Sequence, residues 1–298
     1  MNYDIRMQLE YAYDPAVDGG RHLVRVTPAA WVSGQRVIAS SILFDPAPFE
    51  RSDGHDFFGN AMVAIAFRQT HAALKVAMSA RVRVEAQTAM LDVSPDLAML
   101  ARELAGVRSL APDAPHHFTG ASPRVPLDDD ITAYARESLK HATTVQEIVR
   151  DFGERIHRDF RYDKKSTEVE TSPRKVFELR RGVCQDFSHM MIAGLRGIGI
   201  PAAYVSGYLR TIPPPGAERL EGADAMHAWV RAWCGREAGW VGYDPTNRTF
   251  AGESHIVAAV GRDYQDVTPI AGILRTSGTQ KTSQKVDVVP VDPPGANS

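Results

Sequence analysis

Two cysteines occur in the 298 residues, and one of them sits where a thiol can react. Cys184 lies in the run Arg180-Arg181-Gly182-Val183-Cys184-Gln185-Asp186-Phe187. Beyond it, Phe187, Met190, Met191, Gly194, Leu195 and Ile198 fall at helical offsets, and Gly199 and Pro201 stop the run. The spacing predicts that Cys184 starts a buried amphipathic helix. Free N–H groups and the helix dipole at that end favour a thiolate over a thiol. The same N–H groups can hold the oxyanion of a tetrahedral intermediate. A cysteine taken alone is usually a small, inert core residue. The helix-start position, with Gly182 close before it leaving room for a substrate, weighs against that reading.

A thiolate nucleophile needs a base that also shuttles protons. His227, in Asp224-Ala225-Met226-His227-Ala228-Trp229-Val230, opens a strand that continues through Arg231, Ala232 and Trp233. The next strand, Gly239-Trp240-Val241-Gly242-Tyr243, runs into Asp244-Pro245-Thr246-Asn247, and Gly235 to Gly239 reads as the hairpin turn between them. Antiparallel neighbours of this kind would put Asp244 beside His227. There the carboxylate could accept a ring N–H, set the tautomer and stabilise the imidazolium. Each residue also has an ordinary reading, a satisfied structural histidine and a turn aspartate before proline. The order of settings, Cys on a helix start, His on a strand and Asp on the neighbouring strand, is what a Cys–His–Asp triad requires.

The elements that must hold these residues fall into two domains. Residues 1–95 carry short β-rich runs, such as Leu23-Val24-Arg25-Val26 and Gln35-Arg36-Val37-Ile38, broken by Gly19-Gly20, Pro28, Ser33-Gly34, Asp45-Pro46 and Asp53-Gly54. That pattern predicts an antiparallel β-sandwich. Residues 96–127 read as a short helix from Leu97 to Leu104 and a Pro- and His-bearing linker. A second domain, 128–275, opens with helices capped at Asp128 to Asp130 and at Thr144, then turns to strands from Ala202. The polar, Pro/Gly/Ser-rich stretch 276–298 reads as a disordered tail. The fold class expected is therefore α+β.

Composition narrows the function. With 44% hydrophobic and 23% charged residues the chain is of ordinary globular make-up, and a net charge of −2 gives no footprint for nucleic acid or an anionic membrane. No apolar run reaches the ~18–20 residues of a membrane span. The N-terminus lacks the basic and apolar regions of a signal peptide. Two cysteines are too few for a secreted disulfide scaffold. A cytoplasmic protein with free thiols is expected. Two cysteines make no zinc ribbon, there is no HExxH, and the loop pair His116-His117 has no ligand-spaced partners, so no metal is expected. Without GxGxxG or a Walker pattern, no nucleotide cofactor is expected either.

The stretch from about 150 to 274 resembles the transglutaminase-like superfamily, a relative of papain-like folds. RRGVCQDFSHMM, RGIGIPAAYVSGYL, DAMHAWVRAW and GWVGYDPTN carry the resemblance, and HIVAAVGRDYQDVTPIAG is similar to the bacterial members. Tyr11, Pro28, Gln35 and Asp56-Phe57-Phe58-Gly59-Asn60 are similar to the β-sandwich preceding the core in those proteins. The resemblance implies Cys184 as nucleophile, His227 as general base and acid, and Asp244 as orienting carboxylate. It also implies a second oxyanion donor upstream of the cysteine, where Tyr162 is the nearest donor-bearing aromatic. Hydrolysis of a peptide or amide bond through a thioester is the activity expected. Transfer to a lysine amine (a transglutaminase) and a non-catalytic interaction module are the alternatives. Of the neighbours, Asp186 and Asp263 are expected to be structural, with Asp263 open to a cleft-shaping role. His189 reads as packing or surface, Cys234, Tyr208 and Trp229 as core, and Arg180 and Arg181 as solvated or ion-paired.

Overall fold

A computed structural model of the chain describes residues 1–85, 91–211, 225–274 and 278–291. Four strands open it: β1 (Asn2–Val24), β2 (Gln35–Asp45), β3 (Glu50–His55) and β4 (Ala61–Val84). In β1, Tyr3, Ile5, Met7 and Leu9 are buried, while the residues between them face outward. Beyond Ala12 the pairing of β1 with β4 is interrupted twice, between Ala12 and Val17 and between Asp18 and Gly20. The buried set passes from odd to even positions across these bulges, reaching Val24.

The chain then builds a second body. Helix α1 (Leu97–Ala105) is capped by Asp96, which accepts the Met99 N–H at 2.7 Å. Helix α2 (Asp129–Arg136) is capped by Asp128. Helix α3 (Val145–Asp159) has the capping box of Thr144 and Glu147. After them come β5 (Arg161–Tyr162), α4 (Pro173–Leu179), β6 (Arg181–Gly182) and the central helix α5 (Cys184–Gly197), in which every residue from Asp186 to Arg196 is buried. Strands β7 (Ala202–Leu209), β8 (Ala225–Trp233), β9 (Trp240–Asp244), β10 (Thr249–Phe250) and β11 (His255–Gly261) form an antiparallel sheet in the order β10-β9-β8-β7-β11. One helical turn, α6 (Gly235–Ala238), closes the β8–β9 hairpin. Helices α2 to α5 share one apolar core with Ala228, Val230 and Ala232 of β8. Residues 111–126, expected as a linker, are packed as well: Phe118 and Val125 are buried.

After α7 (Tyr264–Val267) the chain returns to its beginning. Strands β12 (Ile270–Leu274) and β13 (Thr279–Val291) both pair with β1, which makes the N-terminal sheet six-stranded and antiparallel throughout. This corrects two expectations. Residues 270–274 belong to the first sheet rather than to the second domain. The stretch read as a disordered tail contains a 13-residue strand, paired from Asp14↔Thr279 to Asn2↔Val291. Its buried Val286 and Val288 flank Asp287 and alternate with more exposed positions, a strand signal that the polar composition outweighed. Positions 276, 277 and 292–298 lie outside the described residues.

The two bodies are joined through buried side chains. Tyr208, Ile256 and Ala258 of the second sheet enter the apolar core of the first. At the edge strand β11, the Gln35 amide donates to Val257 O and accepts from Val257 N, both at 2.8 Å. The Asn60 amide makes the same pair with Val260, also at 2.8 Å. Each amide thus imitates a strand neighbour and satisfies an otherwise bare backbone edge. Gln35→Ala or Asn60→Ala is expected to cost about 1–3 kcal/mol: the first leaves the Val257 N–H unpaired, its C=O keeping the Ala29 N–H, and the second leaves both Val260 groups unpaired. A urea midpoint lowered at unchanged m-value would show it.

Candidate active site

Cys184 is the first residue of α5 and half-buried. Its position is set by the turn before it. Asp186, buried, accepts the Val183 N–H at 2.8 Å and the Thr167 hydroxyl at 2.6 Å through one carboxylate oxygen. Burial raises the Asp186 pKa, with those two hydrogen bonds opposing. A Cβ at Gly182 would meet that carboxylate at 2.8 Å, so glycine is what fits there. Asp186 therefore shapes the backbone that presents the thiol, the structural role expected of it.

Strands β5 and β6 pair in parallel, and the register Tyr162↔Gly182 brings Tyr162 alongside the approach to Cys184. Tyr162 is 46% exposed as a residue, and burial and negative charge at Cys184 both raise its pKa. Behind it, Tyr204 is fully buried and likewise feels Cys184.

The β8–β9 register pairs Val230 with Tyr243, so Asp244 falls opposite Trp229 and one diagonal step from His227 on the same face. The His227 Nε2 and Asp244 Oδ2 are 2.7 Å apart. Cys184 lies near enough to the same imidazole to raise its pKa, and with Nε2 engaged by the carboxylate, Nδ1 is the ring atom left to face it. Of the three residues expected to act together, the structure places His227 and Asp244 in hydrogen-bond contact, with Cys184 near enough to influence the His227 charge.

Asp244 has no exposed surface and is held by more groups than the sequence suggested. Its Oδ1 accepts the backbone N–H groups of Thr246 at 2.9 Å and Asn247 at 3.1 Å. Its Oδ2 also accepts the Asn247 amide at 2.7 Å and His255 Nε2 at 3.2 Å. The His255 tautomer follows from its other nitrogen, which accepts the Gly252 N–H and so leaves the proton on Nε2. Burial alone would raise the Asp244 pKa, but hydrogen bonds from His227, His255 and Asn247 hold it well below the usual carboxylate range. Burial opposes charge on His227, yet the bonds and charges of Asp244 and Cys184 outweigh it and raise its pKa to about 10. The imidazole is therefore protonated at neutral pH. The Trp229 ring beside it fits because Gly207 has no Cβ, which would lie 2.4 Å from the indole.

The remaining expectations divide. Cys234 is fully buried, one residue past β8, with its thiol pushed up by burial. Tyr208 and Trp229 are buried core residues. Asp263 caps α7 and also accepts the Arg124 N–H, a structural use. His189 is not at the surface: it is buried and accepts the Tyr264 N–H at 3.1 Å. Arg181 faces Asp163 at 3.9 Å. Arg180 is exposed, as expected, and its guanidinium also lies over the rings of Phe177 and Phe160, 4.1 and 4.7 Å from their centroids.

Residues 132–245 match the transglutaminase-like superfamily model, and residues 3–83 match the bacterial transglutaminase-like N-terminal region. An uncharacterized protein of Mycobacterium tuberculosis is 35% identical over 294 residues, covering 97% of this chain and 93% of its own length. One from Mycobacterium leprae is 29% identical over 283 residues, covering 93% and 95%. The solved structure of a candidate cysteine protease from Cytophaga hutchinsonii is similar at a TM-score of 0.76 and 20% identity, covering 98% of this chain and 91% of that one. Fold and family models together define a mixed α+β protein with a transglutaminase-like core of papain-like fold behind N-terminal antiparallel strands. The chain belongs to the transglutaminase-like superfamily, in its bacterial form. Among the described residues no helix is long and apolar enough to cross a membrane.

Proposed function

We propose that the chain is a hydrolase that cleaves peptide or amide bonds through a thioester on Cys184. The observation that carries this reading is His227 bonded to the buried Asp244 carboxylate with Cys184, at a helix start, near enough to influence its charge. The sulfur attacks the carbonyl carbon, and the carbonyl π electrons pass to oxygen. The backbone N–H of Cys184, free at the helix start, and the Tyr162 phenol receive that oxyanion. Collapse of the intermediate breaks the C–N bond, and the His227 imidazolium gives its proton to the departing amine. Neutral His227 then takes a proton from water as the water oxygen attacks the thioester. The C–S bond breaks, the acid leaves, and the imidazolium is restored. Asp244 keeps the ring in the tautomer that serves both halves of the cycle. A peptide or protein substrate and a reducing, cytoplasmic setting complete the reading; both cysteines are free.

The test compares the protein with its Cys184→Ala variant on a mixed peptide pool, with and without a lysine-like amine, read by mass spectrometry. Cysteine-dependent fragments or deamidation are expected. Amine adducts that outpace hydrolysis would make the enzyme a transglutaminase. Identical products from both proteins would sink the assignment of Cys184.

A further inference from the structure

His227 and Trp229 lie on one face of β8, and the next residue in that alternation is Arg231. A half-buried guanidinium ordinarily finds an anion or a set of carbonyls. Arg25 has Asp56 at 3.0 Å, and the buried Arg196 is bonded to the carbonyls of Ala202, Gly120 and Arg262. Arg231 has neither. Among the described residues its charged end makes no hydrogen bond or ion pair and lies between two indoles, Trp31 and Trp240, at 5.9 and 5.7 Å from their centroids. Burial lowers its pKa to about 10, with the exposed Asp113 opposing, so the cation persists at neutral pH. The Trp240 ring is fixed in turn by its N–H, which donates to Asp113 O at 2.9 Å.

Arg231 lines a cavity of about 470 Å³ that extends to His255, with Trp229, Trp240 and Val257 among its walls. That volume suits a small ligand. Cys184 is not part of the lining, which meets the Asp244 and His227 side of the site through His255 and Trp229. Its charged side chains are Arg231 and Glu85, the latter exposed. One unpaired guanidinium neutralises one negative charge, and Glu85 disfavours a dianion. The planar fork of arginine matches a carboxylate in two parallel hydrogen bonds, and the indole walls suit an apolar stem.

We propose that this cavity binds a ligand of the acylated amino-acid or short-peptide class, with its carboxylate on Arg231 and its stem against Trp240 and Trp229. The inference concerns binding only and stands apart from the chemistry assigned to Cys184.

The test uses the full chain carrying Cys184→Ala, so that no turnover intervenes, and reads the emission of its four tryptophans, two of which line the cavity. The probes are N-acetyl-alanyl-alanine, its C-terminal amide, N-acetyl-alanyl-glutamic acid α-amide with only the side-chain carboxylate free, and inorganic phosphate. Saturable binding of a carboxylate peptide is expected, with the full amide weaker by roughly tenfold to a hundredfold, the loss of one charge-assisted pair. Whichever of the two carboxylate peptides binds tighter identifies the source of the carboxylate. Arg231→Gln is expected to weaken the carboxylate peptide as far as amidation does. Arg231→Lys, which keeps the charge but not the fork, falls between. Equal binding of carboxylate and amide, no saturable signal, full binding by folded Arg231→Gln protein, or phosphate binding as tight as the peptide would each overturn the proposal. If Arg231→Gln protein does not fold, the carboxylate and amide pair on the Arg231 protein decides the question alone.

Discussion

Asp244→Asn is expected to lower kcat by about 10³–10⁴, most of the way to the loss expected of Cys184→Ala. The reason lies in what converges on this carboxylate. Its Oδ2 receives hydrogen bonds from His227, His255 and Asn247, and its Oδ1 receives two backbone N–H groups. An amide has one accepting end. With its oxygen on the side-chain donors, its NH₂ would face the backbone N–H groups of Thr246 and Asn247. The opposite orientation is chemically worse for the thiol: the amide would donate to His227 Nε2 and drive the ring proton to Nδ1, the nitrogen left for Cys184. The variant is also expected to lose about 1–3 kcal/mol of stability from the unpaired donors. Turnover measured on protein shown folded by circular dichroism separates the two effects. Activity within tenfold of the parent would mean that Asp244 does not orient His227.

The Cys184–His227–Asp244 grouping was legible because each member is positioned by a local element with its own sequence signal. A helix start follows from the apolar spacing after Cys184, and a hairpin from the two β-rich runs around Gly235 and Gly239. His255 carried no such signal. It begins β11, which lies two strands beyond β8 from β9, so only the curl of the sheet brings it onto Asp244. Curvature leaves no period in the sequence. Gln35 and Asn60 were legible only as motif positions. Their partners lie 222 and 200 residues away, and a buried amide says nothing by itself about which backbone edge it will satisfy. Arg180 is exposed as its charge suggested, but its stacking on Phe160 and Phe177 left no period in the sequence, since a weakly hydrated guanidinium can lie on rings that other elements supply. The last strand misled because Lys, Gln, Ser and Thr dominate its composition, while two buried valines and the long open edge of β1 decide its pairing.

Acid is expected to destabilise the protein through His189 well before the Cys184 cluster discharges. His189 sits in the buried middle of α5, accepts the Tyr264 N–H and packs on the Tyr204 ring, 5.0 Å between centroids. An acceptor nitrogen must be unprotonated. Burial lowers its pKa from 6.5 to about 4, helped by Arg124 and Arg196 and opposed by Asp263. In the unfolded chain the same imidazole takes up a proton near pH 6.5. Between pH 6.5 and 4 the unfolded state therefore binds more protons. The stabilisation is present above 6.5 and is lost as pH falls, at about 1.4 kcal/mol per pH unit, or roughly 3 kcal/mol across the window. His227 adds no loss here, because its raised pKa keeps it protonated in the folded state throughout the range. Asp244, with its lowered pKa, begins to weaken the fold only as pH drops below its ordinary value of 3.8. His22, lowered by burial, contributes in the same direction as His189, so part of the slope remains when His189 is replaced. Urea unfolding at pH 7 and pH 4.5 should accordingly show a large loss in the parent. In His189→Gln, whose amide oxygen can still accept the Tyr264 N–H without titrating, the loss should be smaller by about 2–3 kcal/mol. An equal loss in both proteins would mean that His189 is already protonated in the folded state and that the Tyr264 N–H is satisfied some other way.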